Sequence, residues 1–187
     1  MKNVKKGEPG WLSWKKRMEV LKTSLFFGIC AAVFLLGYLS TRTTSNLLTI
    51  VAVLGCLPSG KSAVAMIMSL RIKGCSPEDM NKIKAKGKGD SGFFNLYFTS
   101  YEKNYEIHHL AVKGHSVIAY TADSKTEAVS FEEHIKTILK QNGIGNYNVK
   151  LYSDLNKYLE RIERLMLREE EKAENKEVVS LLFSISL

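Results

Sequence analysis

Two long apolar runs dominate the first 70 residues of the chain. Thr23 to Leu39 contains no charged residue, the stretch Ser40 to Asn46 is polar, and a second run extends from Leu47 to Leu70. A helix needs about 20 apolar residues to cross the roughly 30 Å hydrocarbon core of a bilayer. The pattern therefore predicts a transmembrane helical hairpin over residues 23–71, with spans at 23–39 and 47–70.

A cleaved signal sequence is the alternative explanation of the first run. The basic region before Thr23 is 22 residues long, whereas the basic region of a signal peptide is short. No A-x-A-like cleavage site follows Leu39. Both observations favour a retained span, and the short loop favours antiparallel packing of the two spans. Small residues would allow their close approach, namely Gly28, Ala31, Ala32, Gly55 and Ala63.

After residue 72 the pattern changes to short alternating and amphipathic segments. Their order predicts a helix, three strands, a helix, a strand and a helix. The fold class is therefore α+β, with an N-terminal transmembrane hairpin and a cytoplasmic α-β-β-β-α-β-α domain. The predicted parts are a basic juxtamembrane segment (1–22), the hairpin (23–71), a short helix with a basic linker (72–92), and the cytoplasmic α/β domain (93–187).

Local signals place the first elements of this domain. Ser76 followed by Pro77 begins a helix that runs to about Lys86, and Lys84 to Gly92 has the composition of a flexible linker. Two alternating segments flanking Lys113-Gly114 predict a β-hairpin that turns at these two residues.

Later signals place the remaining elements. Ser130 to Glu133 has the sequence of a capping box at the start of a helix, and Asn142-Gly143 ends that helix. Asp154 caps the last long helix. Val178 to Leu187 is apolar but too short to span a membrane, so we expect it to dock on the domain.

Basic residues are concentrated around the apolar runs. Residues 1–89 contain fifteen Lys and Arg against four Asp and Glu, whereas residues 90–187 contain twelve against fifteen. The loop between the runs has only Arg42. The positive-inside rule predicts a cell-membrane protein with both termini cytoplasmic and with anionic lipid beside its basic flanks. The acidic distal domain argues against nucleic acid as a partner.

The second run also contains a phosphate-binding pattern. Residues 55–62, GCLPSGKS, match G-x-x-x-x-G-K-S/T, so Gly55, Gly60, Lys61 and Ser62 would bind a nucleotide in this alternative. Against it, no strong apolar strand ending in Asp follows, and a meander replaces the repeated strand–helix units of such enzymes. We therefore prefer the hairpin and predict no cofactor.

Lys61 is the difficulty for the hairpin. A charge deep in a span costs about 2.5–3.5 kcal/mol on insertion scales. Lys61 lies about 15 Å along a helix from Arg71, which is near the middle of a span. Pro58 and Gly60 are expected to break the helix there. Lys61 then either snorkels or pairs within a homo-oligomer, or it marks a functional polar site.

The other polar residues do not suggest a catalytic or metal-binding set. His108 would lie about 13 Å from His115 along the predicted strands, whereas zinc ligands lie about 2 Å from one ion. The three cysteines have no C-x-x-C spacing and suit a reducing compartment: Cys30, Cys56 and Cys75. The sequence therefore predicts no metal site and no catalytic residue.

Two resemblances bear on the fold. HHLAVKGHSVIAYT, from His108 to Thr121, resembles the central hairpin of nuclease-related domains of the restriction-endonuclease-like class, as does the order of elements. That pattern has an Asp on the second strand and a Glu-x-Lys on the third, where this chain has Glu106 or His109 and then Ala119-Tyr120-Thr121. The resemblance implies a related fold without magnesium-dependent cleavage. KNVKKGEPG (2–10) and LGCLPSGKSAV (54–64) resemble segments of small two-pass membrane proteins of clostridial-type bacteria.

These features together predict an integral membrane protein whose cytoplasmic domain is a non-catalytic binding or scaffold module. Its partners would be the lipid bilayer, an unidentified protein and, through the spans, further copies of itself. A nucleotide-binding enzyme that uses Gly55 to Ser62 is the alternative, and an inactive nuclease-like domain is a further one.

Overall fold

The computed structural model describes residues 5–87, 92–100, 103–145, 147–167 and 175–187. The chain divides into two compact units. The helical unit is Leu12–Lys73, and the mixed unit combines Met1–Trp11 with Gly74–Leu187.

The helical unit consists of two long helices, α1 (Trp11–Thr41) and α2 (Leu47–Arg71). Asn46 begins α2, because its side-chain oxygen accepts a hydrogen bond from the Thr49 amide at 2.8 Å. Both helices are long and apolar enough to cross a membrane, and only 11% of the most apolar window of each is buried. α1 extends well before Thr23, because no glycine or proline interrupts residues 11–22.

Small and weakly polar side chains form the contact between α1 and α2. A Cβ atom on Gly55 would lie 2.8 Å from the Cys30 sulfur, and one on Gly37 would lie 2.8 Å from the Leu48 Cβ. The Thr23 hydroxyl donates to the Ser62 carbonyl at 3.1 Å. Gly55 was predicted to allow this close approach. The same prediction was wrong for three residues that are exposed on the outer side of α1: Gly28, Ala31 and Ala32.

The mixed unit contains a four-stranded sheet with helices on both faces. Its elements are α3 (Pro77–Lys86), β1 (Phe93–Thr99), β2 (Asn104–Lys113), β3 (Ser116–Tyr120), α4 (Ala128–Gln141), β4 (Asn148–Tyr152), α5 (Leu155–Met166) and α6 (Asn175–Ile185). The strand order is β1-β2-β3-β4, and only the β3–β4 pair is parallel. The mixed composition and the predicted order of elements are therefore confirmed, with α6 added.

Two apolar clusters hold the helices to the sheet. On one face α4 and α6 pack through buried residues that include Phe131, Ile135, Val178 and Leu182. On the other face α3 and α5 pack through Ile83, Tyr158, Ile162 and Leu165. The apolar C-terminal segment thus docks on the domain, as predicted.

Two local predictions were wrong. Lys113 pairs with Ser116, so the β2–β3 turn is Gly114-His115 rather than Lys113-Gly114, and Gly114 supplies the positive φ of +53°. The capping box at Ser130 does not form, because α4 already begins at Ala128. The Ser130 hydroxyl instead bonds to the Tyr105 hydroxyl, and Glu132, which precedes the Glu133 of the predicted box, accepts from the Leu151 amide. Of the predicted basic linker, residues 88–91 lie outside the described residues.

Candidate functional site

The phosphate-binding pattern lies inside α2. Within a helix each backbone amide donates to the carbonyl four residues earlier, so the amides of this segment are engaged by the helix itself. Gly55 faces Cys30 on α1, whereas Lys61 is exposed. The Ser62 hydroxyl lies 2.9 Å from the Thr23 hydroxyl. The structure therefore does not gather Gly55, Gly60, Lys61 and Ser62 around one cavity, and nucleotide binding there stays a prediction.

The predicted break at Pro58 and Gly60 does not occur, since α2 is continuous from Leu47 to Arg71. Pro58 removes one amide donor. The next residue, Ser59, is buried and donates its hydroxyl to the Gly55 carbonyl at 2.9 Å. The helix therefore stays continuous through Pro58, with the buried Ser59 directly after it.

The pairing of the two helices changes the position of Lys61. Thr23 bonds to Ser62, so Lys61 lies level with Ser24, at the start of the apolar run of α1 and within one turn of Lys22. The estimate from α2 alone put Lys61 near the middle of a span, whereas Ser24, at its level, begins the apolar run of α1; the depth of Lys61 in a membrane stays a prediction. The end of the hairpin that contains Lys61 is also the end that carries the charged first turns of α1.

In the mixed unit, a buried polar group lies where β2 meets the segment before α3. Glu106 accepts a hydrogen bond from the Gly74 amide at 2.6 Å, and its carboxylate lies 3.7 Å from His108 Nε2. His108 Nδ1 accepts from the Ala122 amide at 3.0 Å, which assigns the proton to Nε2. Burial lowers the pKa of His108, and Glu106 partly opposes that shift. Both side chains thus accept hydrogen bonds from backbone amides, Glu106 from the segment before α3 and His108 from the segment after β3.

Cys75, next to the Gly74 amide that binds Glu106, is not an activated nucleophile. Burial, followed by the negative charge of Asp79, raises the pKa of the Cys75 thiol to about 12, so the thiolate is scarce at neutral pH. The Cys75 amide donates to the Asn95 side chain at 2.6 Å, and Asn95 itself has a φ of +57° within β1. Asn tolerates this backbone region better than most residues do. These hydrogen bonds hold the segment before α3 against β1 and β2.

His109, the next residue of β2, is also buried on the α3–α5 side of the sheet. Its Nδ1 lies 2.5 Å from the Tyr158 hydroxyl, and its ring packs on Phe94. Its Nε2 is buried and has no hydrogen-bond partner among the described residues. Burial lowers the pKa of His109 to about 3, so the ring is neutral near pH 7.

A cleft of about 440 Å³ lies beside the β1 edge of the sheet. Its walls are the N-terminal segment, the end of α3 and three phenylalanines, with Lys5, Lys6, Lys84, Phe93, Phe94 and Phe183 among the lining residues. The Lys6 ammonium donates to the carbonyls of Phe183 and Ser186, which fixes it against α6. Lys84 lies 5.8 Å from the centre of the Phe94 ring. Glu8 is the acidic residue of the lining.

Sequence reasoning did not find this cleft. Its lining comes from four separate parts of the chain, and each part has an ordinary composition for a basic segment, a helix or a strand. The available signal was the basic segment before Trp11, which was interpreted only as a membrane flank.

Metal binding and homology give no further assignment. Among the described residues, no group of three or more His, Cys, Asp or Glu side chains is placed to hold a metal ion. Comparison with protein-family models, with curated proteins and with solved structures found no match.

Proposed function

We propose that the protein is an integral membrane protein in which the α1–α2 hairpin anchors a cytoplasmic α/β domain. The domain binds a partner and catalyses no reaction. The observation that carries the proposal is the outer surface of the hairpin. Of the 24 exposed large apolar side chains in the described residues, 21 lie on α1 and α2. Soluble monomers rarely expose a contiguous apolar patch of more than a few hundred Å².

The exposure of α1 and α2 argues against the alternative that they are core helices of a soluble protein. A core helix is largely buried, whereas the apolar windows of α1 and α2 are 11% buried. Lipid tails would cover the outward side chains at no cost, while small residues in the contact let the helices approach closely. The distribution of Lys and Arg supports a cytoplasmic position for both termini.

The cleft beside β1 supports binding over catalysis. Lys5 and Lys84 supply positive charge, and Phe93 supplies an apolar wall. This combination suits an acidic segment with an apolar neighbour on a protein partner. The polar groups nearest to a catalytic arrangement, Glu106 and His108, are already bonded to the backbone.

Alkaline extraction of membranes tests the anchor. The full chain should sediment with the membranes and stay in the pellet after washing at pH 11, because apolar burial in lipid does not depend on charge. A protein held only by its basic residues would be released by the wash. Recovery in the soluble fraction after lysis without detergent would contradict the proposal.

A further inference from the structure

We infer that a shallow groove at the charged end of the hairpin binds one anionic phospholipid, with its phosphate at Lys16 and Arg17. The inference rests on the proposed membrane anchor and names a specific partner for it. The groove has a volume of about 330 Å³ and is lined by Lys16, Arg17, Val20, Leu21, Ser24 and Leu70. All six residues belong to the helical unit.

The chemistry of the groove changes along its length. Lys16 and Arg17 supply two positive charges at one end, where Leu70 of α2 lies at the same level, and Val20, Leu21 and Ser24 continue the almost entirely apolar trough along α1. A phospholipid has the same order, with an anionic phosphate above the apolar beginnings of its acyl chains. Charge and polarity therefore match this occupant in a single orientation.

The length of the groove along α1 also matches the thickness of the lipid headgroup layer. From Arg17 to Ser24 is seven residues, or about 10 Å along a helix. The headgroup layer on one side of a bilayer is about 5–8 Å thick, so a ligand that spans this length reaches from the phosphate level into the hydrocarbon. Ser24 lies next to Thr23, where the apolar run of α1 begins.

Lys16 is held in position for this role. Its ammonium donates to the carbonyl of Ile72, the C-cap residue of α2, at 2.5 Å. An ammonium has three donors, so two remain for a phosphate oxygen. Arg17 is exposed on the next position of α1, and its planar guanidinium binds phosphate in a bidentate manner.

Lipid selectivity tests the inference. The full chain is reconstituted in vesicles of phosphatidylcholine with 20% phosphatidylglycerol, and electron paramagnetic resonance compares spin-labelled phosphatidylglycerol with spin-labelled phosphatidylcholine. We expect the wild type to restrict phosphatidylglycerol preferentially. The double variant Lys16→Gln/Arg17→Gln should lose at least about fivefold of that preference, because it removes both charge-assisted hydrogen bonds to the phosphate.

Two further variants separate a groove from a diffuse positive charge. Lys22→Gln/Lys73→Gln removes the same charge from the same unit, but neither residue lines the groove. It should keep the preference within about twofold. Ser24→Trp keeps both charges but fills the trough, and it should lower the preference as the double charge variant does.

The outcomes are distinguishable. An equal loss in the Lys22/Lys73 variant, or an unchanged preference in Ser24→Trp, would overturn the groove while leaving the anchor intact. The absence of any restricted lipid, with the protein outside the vesicles, would overturn the anchor and the groove together.

Discussion

Gly92→Ala is expected to lower the free energy of unfolding of the mixed unit by about 2–4 kcal/mol. Gly92 has a φ of +138°, and a Cβ atom there would lie 2.2 Å from the Leu110 carbonyl oxygen and 3.0 Å from His109 Cε1. Leu110 pairs with Phe93 at the start of the β1–β2 ladder. The clash is with backbone, so it can be relieved only by moving the strand pairing.

Gly145→Ala is the matched control for this prediction. A Cβ atom on Gly145 meets nothing within 4 Å, so its effect should stay within about 1 kcal/mol. Urea unfolding of the full chain in detergent, followed by pulse proteolysis, measures both variants. Equal midpoints for the two variants would contradict the close approach of Gly92 to β2.

Acid is expected to destabilise the mixed unit through His109. Burial lowers the pKa of His109 from 6.5 to about 3 in the folded state. As the pH falls through 6.5 the unfolded chain takes up a proton that the folded chain does not, so unfolding becomes more favourable. The loss is roughly 1.4 kcal/mol for each pH unit below 6.5 and ends near pH 3, where the folded state also binds the proton.

His109→Gln should therefore reduce the loss of stability between pH 7 and pH 5 by about 2 kcal/mol. Burial also lowers the pKa of His108, which adds a loss of the same sign and leaves a residual slope in the variant. His115→Gln, at an exposed position in the β2–β3 turn, is the control for a His-to-Gln substitution outside the core. Urea midpoints at the two pH values measure the effect. Parallel pH profiles for wild type and His109→Gln would refute it.

The long-range pattern of the sequence was sufficient to predict the coarse fold. Apolar runs gave the two long helices, and alternating or amphipathic segments gave the order of the smaller elements, because both signals depend only on periodicity. Caps with a local partner were also predictable: Ser76 accepts from the Asp79 amide, and Asp154 accepts from the Asn156 amide.

The failures have a common physical cause, which is competition from distant partners. Ser130 and Glu133 have the spacing of a capping box, yet α4 already begins at Ala128 and the Ser130 hydroxyl bonds to the distant Tyr105 hydroxyl instead. Composition showed that small residues would allow the helices to approach. It did not show which side of α1 faces α2, so Gly28 was chosen where Gly37 makes the contact.

The positions of Lys61 and of the cleft depend on contacts that no local pattern encodes. Lys61 was placed by counting along α2 alone, whereas the bond between Thr23 and Ser62 fixes its level relative to α1. The cleft brings together Lys5, Lys84 and Phe183, which are separated by most of the chain. Residues Gly55 to Ser62 match the phosphate-binding sequence pattern in full. Phosphate binding by that pattern needs a loop, whereas the chain forms a helix there.

The side of the membrane on which each part lies is the most direct test of the central claim. In a cysteine-free background, an impermeant maleimide is applied to intact cells and then to permeabilised cells. Thr43→Cys, exposed between α1 and α2, should label from outside. Val129→Cys, 69% exposed on the mixed unit, should label only after permeabilisation. Native Cys75 is a poor reporter, since its raised pKa slows labelling on either side. Labelling of Val129→Cys in intact cells, or protection of Thr43→Cys until permeabilisation, would contradict a hairpin anchor with a cytoplasmic domain.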